Sequence, residues 1–159
     1  MTPKSPPNIT VFDIANWFLA KAQGVEKHLK PMKLQKLVYF AYGWYFAHFE
    51  NSLFPERIFA WRHGPVVADL YGRFKRFKGN PIECVTEIPK FDDNVTSVLN
   101  EVWRVYAPIT DVRLSDITHR IDAPWAKVYS ESRWGAEIEP TEIRDYFKTL
   151  KDKFDNDKS

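Results

Sequence analysis

The chain has 159 residues, with 23 lysines and arginines against 21 aspartates and glutamates and a formal net charge of +2. This length corresponds to one domain, and the near balance of charges gives no global argument for binding nucleic acid. The single cysteine, Cys84, excludes a disulfide within this chain and a zinc site built on cysteines.

The N-terminal part of the chain predicts a leader followed by two helices. Three prolines among the first ten residues predict a flexible leader over residues 1–10. Apolar residues at helical spacing then predict a helix that ends at Gly24. Residues 32–49 are apolar nearly all round, which is typical of a helix at the centre of a domain. Gly43 inside this helix costs up to ~1 kcal/mol relative to alanine, so we expect a close helix contact there.

The middle of the chain predicts extended segments and then another helix. Residues 52–61, which are rich in apolar side chains, predict one or two short strands. The stretch AWRHGPVV (residues 60–67) predicts a junction between a strand and a helix. In this interpretation Gly64 caps the helix and Pro65 is its first residue, because proline suits the first helical turn. His63 would then orient the turn by hydrogen bonding.

The C-terminal part predicts three further helices. Candidate N-caps at positions 92–94 precede a strongly amphipathic helix, and a short helix over residues 114–121 follows. The last helix begins at Pro140 and gives way to a polar tail at residues 155–159. We therefore predict a mainly α fold, a compact single-domain helical bundle around a central apolar helix, with a small β-hairpin-like element. The domain is expected to span residues 11–154.

Patterns typical of catalysis or metal binding are weak in this sequence. The chain has no GxSxG motif and no glycine-rich phosphate loop. Its four histidines contain no pair with the spacing of a metal-binding helix. We therefore expect no catalytic residues, no metal and no cofactor. A pair of carboxylates acting as acid and base stays open as the enzymatic alternative.

Two aromatic segments each allow two interpretations. The stretch RFKRFK (residues 73–78) could form a surface for nucleic acid, or its phenylalanines could face the core while the cations reach outward. Helical phase favours the second interpretation. Trp125 could be a binding anchor or a ring that fills a gap in the core, and burial statistics for tryptophan favour the core.

Neither a membrane span nor a signal peptide is predicted. No run approaches the ~20 apolar residues needed to cross a bilayer. The first residues lack the continuous apolar stretch of a signal peptide. We therefore expect a cytoplasmic protein.

Five stretches that follow one another along the chain resemble a known family, the Panacea domain of the SocA-like antitoxins, which is associated with phages. The pair formed by MKLQKLVYFA and AWRHGPVV is the most specific part of the resemblance, which spans residues 13–147. The stretches are DIANWFL, KPMKLQKLVYFAYGWYFAHF, LFPERIFAWRHGPVVADLYGRFK, LSDITHRIDAPW and IEPTEIRDYF.

The resemblance implies a bacterial or prophage antitoxin without catalytic activity. Such a protein neutralises a cognate toxin, encoded by a neighbouring gene, through direct binding. Two alternatives stay open: an adaptor that delivers the toxin to a Clp-type protease, and a DNA-binding regulator, for which the sequence shows no helix-turn-helix signature. A homo-oligomer also stays open, whereas membrane and nucleic acid are not expected as partners.

The partner-binding surface is expected within the matching motifs. Side chains that are polar or amphipathic in these motifs do not all have to serve the core, and aromatic anchors are common at interfaces. On this basis we predict six partner-binding residues: Lys33, Gln35, Lys36, Trp61, Arg62 and His63.

Overall fold

A computed structural model describes residues 3–83, 87–129 and 135–157 of the chain. Within these residues the chain forms seven α-helices and a three-stranded antiparallel sheet of order β2-β1-β3. This architecture confirms the predicted mainly α fold class with a small β element. Cys84 lies outside the described residues. The helices are α1 (Val11–Gly24), α2 (Pro31–Phe49), α3 (Ala68–Phe74), α4 (Asp93–Tyr106), α5 (Asp111–Thr118), α6 (Pro124–Val128) and α7 (Pro140–Asp157), and the strands are β1 (Ile58–Trp61), β2 (Gly64–Val67) and β3 (Glu137–Ile138).

Helix α2 runs through the centre of the fold, as its apolar sequence predicts. It contacts α1, α3, α4, α5, α7 and strand β2, and most of its residues are buried. At Gly43 the ring of Phe147 packs directly on the backbone, so that a Cβ added at Gly43 would lie 2.3 Å from this ring. The predicted close helix contact at Gly43 is thereby confirmed, and α7 is the partner.

The prediction that Gly64 and Pro65 begin a helix is wrong, because both residues belong to strand β2. The chain reverses after β1, and β2 pairs with it in antiparallel register, with Trp61 opposite Gly64. Gly64 has a φ of +125°, a region that residues with a side chain rarely adopt, so glycine allows this reversal. Helix α3 begins only at Ala68. The segment AWRHGPVV is therefore a β-hairpin.

The other edge of β2 is covered by a side chain of α2. Gln35 Nε2 donates to the Val67 carbonyl at 3.2 Å, and the Val67 amide donates to Gln35 Oε1 at 2.9 Å. Both residues are buried, so Gln35 satisfies backbone groups that would otherwise lack a partner. This pair fixes the hairpin against the N-terminal half of α2.

Both ends of the described chain are more ordered in secondary structure or packing than the sequence suggests. In the predicted leader, Lys4 forms a parallel bridge with Phe91, and Ile9 is fully buried. At the other end, α7 continues to Asp157, into the predicted tail. The domain boundaries at residues 11 and 154 stay a prediction.

The short helix predicted over residues 114–121 differs from the structure at its end. Helix α5 begins at Asp111 and stops at Thr118, and Ile121 is 93% exposed. Ile121 thus does not extend the buried face to which its spacing assigned it. None of the helices in the described parts of the chain has both the length and the apolar character that crossing a membrane requires.

Candidate partner-binding groove

A groove of about 470 Å³ lies between the N-terminal half of α2, helix α3 and the turn that joins β1 to β2. We call it the hairpin groove. Five of the six predicted partner-binding residues line it, although α2 and the hairpin are separate in the sequence. Its lining consists of Gln35, Lys36, Trp61, Arg62 and His63 together with Pro31, Met32, Leu34, Val66, Leu70, Tyr71, Phe74 and Lys78.

Lys33, the sixth predicted residue, does not line the hairpin groove. Its Nζ donates to the carbonyl of Ala107 at 2.7 Å and to that of Ile109, and lies 3.9 Å from Asp111. These carbonyls follow the C-terminal end of α4, where a cation is favoured. Burial lowers the pKa of Lys33, and Asp111 partly opposes this. Lys33 therefore joins α2 to the segment between α4 and α5.

Lys33 also borders a second groove, of about 950 Å³, on another side of α2. This groove has a basic lining, in which Lys33 and its neighbour Asp111 are accompanied by Lys21, Lys27, Lys30 and Arg104. The structure thus separates the two lysines of the KLQK motif into two different grooves.

Hydrogen bonds from side chains of α5 and α6 hold the turn of the hairpin from behind. Ser115 Oγ in α5 donates to the His63 carbonyl at 2.8 Å, and Trp125 Nε1 in α6 donates to the Trp61 carbonyl at 2.6 Å. The bond at His63 is accepted by its backbone carbonyl, a group common to all residues, so a role of the histidine itself in orienting the turn stays a prediction. The side chains of Arg62 and His63 remain exposed on this turn.

Trp125 belongs to a stack of rings behind the turn. Its ring lies 3.8 Å from that of His119 and 4.4 Å from that of Tyr129, nearly parallel to both. Burial and the positive charge of Lys36 lower the pKa of His119, and a hydrogen bond with the His63 backbone opposes them. Trp125 is half-buried and supports the turn. Sequence reasoning did not assign this role to it.

Lys36 is a charged residue with almost no exposure. Its relative accessible surface is 1%, and burial lowers the pKa of its ammonium to about 8, with Asp111 partly opposing this. A Cβ added at Gly64 would lie 2.9 Å from Lys36 Nζ and 2.9 Å from Thr118 Oγ1, so the ammonium lies against the hairpin backbone. Among residues 3–83, 87–129 and 135–157, the fully buried side-chain atoms without a hydrogen-bond partner are Gln23 Oε1 and His119 Nε2. Lys36 Nζ is not one of them, and Lys36 lines the hairpin groove.

In the stretch RFKRFK the phenylalanines face the core and the cations reach outward, as the second interpretation predicted. Phe74 is buried and lines the hairpin groove, while the four cations between residues 73 and 78 are exposed. The Arg73 guanidinium lies 3.8 Å from the centroid of the Phe12 ring, and that of Arg76 lies 4.9 Å from the centroid of the Phe77 ring. Phe74 belongs to the core and the half-buried Phe77 packs against it.

Comparison with known proteins identifies the family. Residues 34–126 match the family model described as "Antitoxin SocA-like, Panacea domain". The match covers more than half of the chain, and it includes the hairpin and every predicted partner-binding residue except Lys33. Searches of curated proteins and of solved structures gave no match. In the described part of the chain, no group of three or more potential metal ligands could hold an ion. The chain belongs to the SocA-like antitoxin family that carries the Panacea domain.

Proposed function

We propose that this protein is a cytoplasmic antitoxin that binds its cognate toxin directly at the hairpin groove. The toxin would be the product of a neighbouring gene, and neutralisation would require neither a cofactor nor catalysis by the antitoxin. One observation supports the hairpin groove as the binding surface: five residues that were chosen from the family motifs line this single groove.

The composition of the groove supports a protein as the partner. Trp61 packs edge-to-face on Tyr71, with ring centroids 4.9 Å apart, and Tyr71 is 45% exposed. The exposed Arg62 lies beside them in the groove lining. Tryptophan, tyrosine and arginine are the residues most enriched among those that dominate binding energy at protein interfaces.

The fixed position of the turn supports tight binding. Ordering flexible side chains and loops on association costs free energy, and here hydrogen bonds from α5 and α6 already hold the turn. A toxin that binds this surface would therefore meet a backbone that is ordered before contact.

Co-expression with the neighbouring gene tests the proposal. We expect wild-type protein to restore growth and to co-purify with the toxin. The double variant Arg62→Glu with Tyr71→Ala should lose both effects while it still folds. The matched control is Lys153→Glu, an exposed charge reversal on α7 outside the hairpin groove. A double variant that still binds and neutralises the toxin would exclude the hairpin groove.

The same experiment separates direct neutralisation from delivery to a protease. Direct binding predicts a toxin whose lifetime is unchanged or longer in the presence of the antitoxin. An adaptor would shorten the lifetime of the toxin, and deletion of a Clp-type protease would reverse that effect. Binding of the purified protein to its own promoter with a steep salt dependence would point to a DNA-binding regulator instead.

A further inference from the structure

We propose that the hairpin groove recognises an acidic and apolar internal segment of the partner protein, and that one carboxylate side chain of this segment pairs with Lys36. The inference rests on the proposed function, since it names the chemistry that is recognised at the same groove. It begins from the environment of the Lys36 ammonium.

Lys36 is almost entirely buried at the edge of the hairpin groove, and no ion pair of the described residues involves its ammonium. Removing a charge from water is costly unless the charge is paired and hydrogen-bonded. Asp111 is the carboxylate that favours the charged form of Lys36, yet its ion pair, at 3.9 Å, is with Lys33. A carboxylate brought by a partner would supply the ion pair that Lys36 does not form among the described residues.

The charges along the groove favour several carboxylates over one. Lys36 comes from α2, Arg62 from the hairpin turn and Lys78 from the segment after α3. Among the described residues that line the groove, none is an aspartate or a glutamate. A free C-terminus brings one carboxylate, whereas an internal segment with acidic side chains can reach cations on three elements. The charge pattern therefore favours an internal acidic segment.

The remaining residues that line the groove indicate which side chains the partner's segment carries between its acidic residues. Most of it is apolar, with Met32, Leu70 and Phe74 as examples, so large apolar side chains of the segment would be buried there. Addition of the segment as a further β-strand is blocked at Val67, because Gln35 occupies its backbone amide and carbonyl. Recognition would therefore rely on side chains.

A random library of 12-residue peptides, displayed as internal segments, provides a test that requires no knowledge of the toxin. We expect selection on the wild-type protein to enrich aspartate or glutamate next to aromatic or aliphatic residues. A second library, displayed with free C-termini, serves as the comparison. Selected peptides without acidic residues, or binders from the free C-terminus library alone, would overturn the inference.

Variants then test the role of Lys36. Lys36→Met should weaken binding of a selected peptide by at least about tenfold, and neutralising the critical acidic residue of the peptide should weaken wild-type binding equally. The two changes together should cost no more than one alone, which a merely structural role of Lys36 would not produce. Equal binding by wild type and Lys36→Met, or fully additive losses, would contradict the pairing. Lys153→Met is the control, and if Lys36→Met fails to fold, Arg62→Ala with Lys78→Ala must show the loss instead.

The inference and the proposed function fail separately. If the toxin binds wild type and Lys36→Met equally well, the antitoxin function is supported and the pairing of Lys36 with a carboxylate is contradicted. If peptide binding depends on Lys36 but the product of the neighbouring gene does not bind, recognition of an acidic segment is supported and the proposed toxin is contradicted.

Discussion

Gln35 and Val67 form a two-way hydrogen bond between a helix side chain and a strand backbone, at 2.9 and 3.2 Å. Through this pair the central helix determines where the hairpin lies, and hence the position of one wall of the groove relative to the other. A side chain predicted to contact a partner thus supports the site from within.

Replacing Gln35 should destabilise the fold. Gln35→Ala leaves the buried Val67 amide and carbonyl unpaired, and each orphaned group costs about 1–3 kcal/mol. We expect the free energy of unfolding, measured by urea denaturation, to fall by roughly 2–4 kcal/mol. Gln35→Glu keeps an acceptor for the Val67 amide but places a buried carboxylate against the Val67 carbonyl, so its loss should be at least as large. A loss below about 0.5 kcal/mol for Gln35→Ala would contradict the role of this pair.

Gly43→Ala should destabilise the protein despite the higher helix propensity of alanine. The added Cβ would meet the buried Phe147 ring at 2.3 Å, and overpacking of this kind typically costs about 1–3 kcal/mol. Gly72→Ala is the matched control, because nothing lies within 4 Å of its Cβ position and it should gain up to about 1 kcal/mol. Thermal denaturation of both variants measures the difference, and equal melting temperatures would refute the close contact.

Lys36→Met should stabilise the free protein while it weakens partner binding. Below about pH 8 the Lys36 ammonium is charged in both the folded and the unfolded state, so the cost of burying the charge is fully present there. Between this pH and the ordinary lysine pKa of 10.5, the folded state has released the proton and the unfolded state retains it. Wild-type stability should therefore rise with pH in this window, by about 1.4 kcal/mol per pH unit.

The difference between wild type and Lys36→Met isolates this effect. Burial raises the pKa of Tyr39 and raises that of Tyr42 to about 12, so both tyrosines lower the stability of each variant above about pH 10. Their contribution cancels in the comparison. Urea denaturation at pH 7, 8.5 and 9.5 should show the advantage of Lys36→Met shrinking as pH rises. An advantage that is constant or grows with pH would contradict the buried charge.

Trp125→Phe should loosen the hairpin turn while an aromatic ring stays packed behind it. Phenylalanine keeps a ring between His119 and Tyr129 but cannot donate to the Trp61 carbonyl, a bond of 2.6 Å in the protein. We expect a loss of about 1 kcal/mol in stability and faster hydrogen exchange in residues 61–64. Trp103→Phe, on α4 and outside the lining of the hairpin groove, serves as the control. Unchanged exchange in the turn would show that the Trp125 bond does not hold it.

Sequence patterns predicted the helices well because their apolar faces are continuous, as in α2 and α4. They failed at Gly64 and Pro65, since a glycine followed by proline suits both a helix start and a strand that follows a reversal. In the structure these residues pair with β1, and Gln35 holds the backbone of Val67, 32 positions away, at the other edge of β2. The spacing of residues along the chain cannot predict such a long-range contact.

Five of the six predicted partner-binding residues line one groove and Lys33 does not, while their role in partner binding stays a prediction. Family motifs selected residues on two segments that the fold brings together, so Lys36 and Arg62 share a groove. Lys33 is one helical turn before Lys36, yet its long side chain reaches the carbonyls that follow α4. Helical phase gives the direction of a Cβ atom, but the available acceptors decide where a lysine ammonium lies.

Ser115 and Trp125 hold the hairpin turn by donating to main-chain oxygens, those of His63 and Trp61. Every amino acid carries this oxygen, so these bonds place no demand on the exposed side chains at positions 62 and 63. Substitutions there would change the surface that the turn displays while the turn stays where it is. A few substitutions in this turn would therefore change partner specificity while the backbone of the domain keeps its fold.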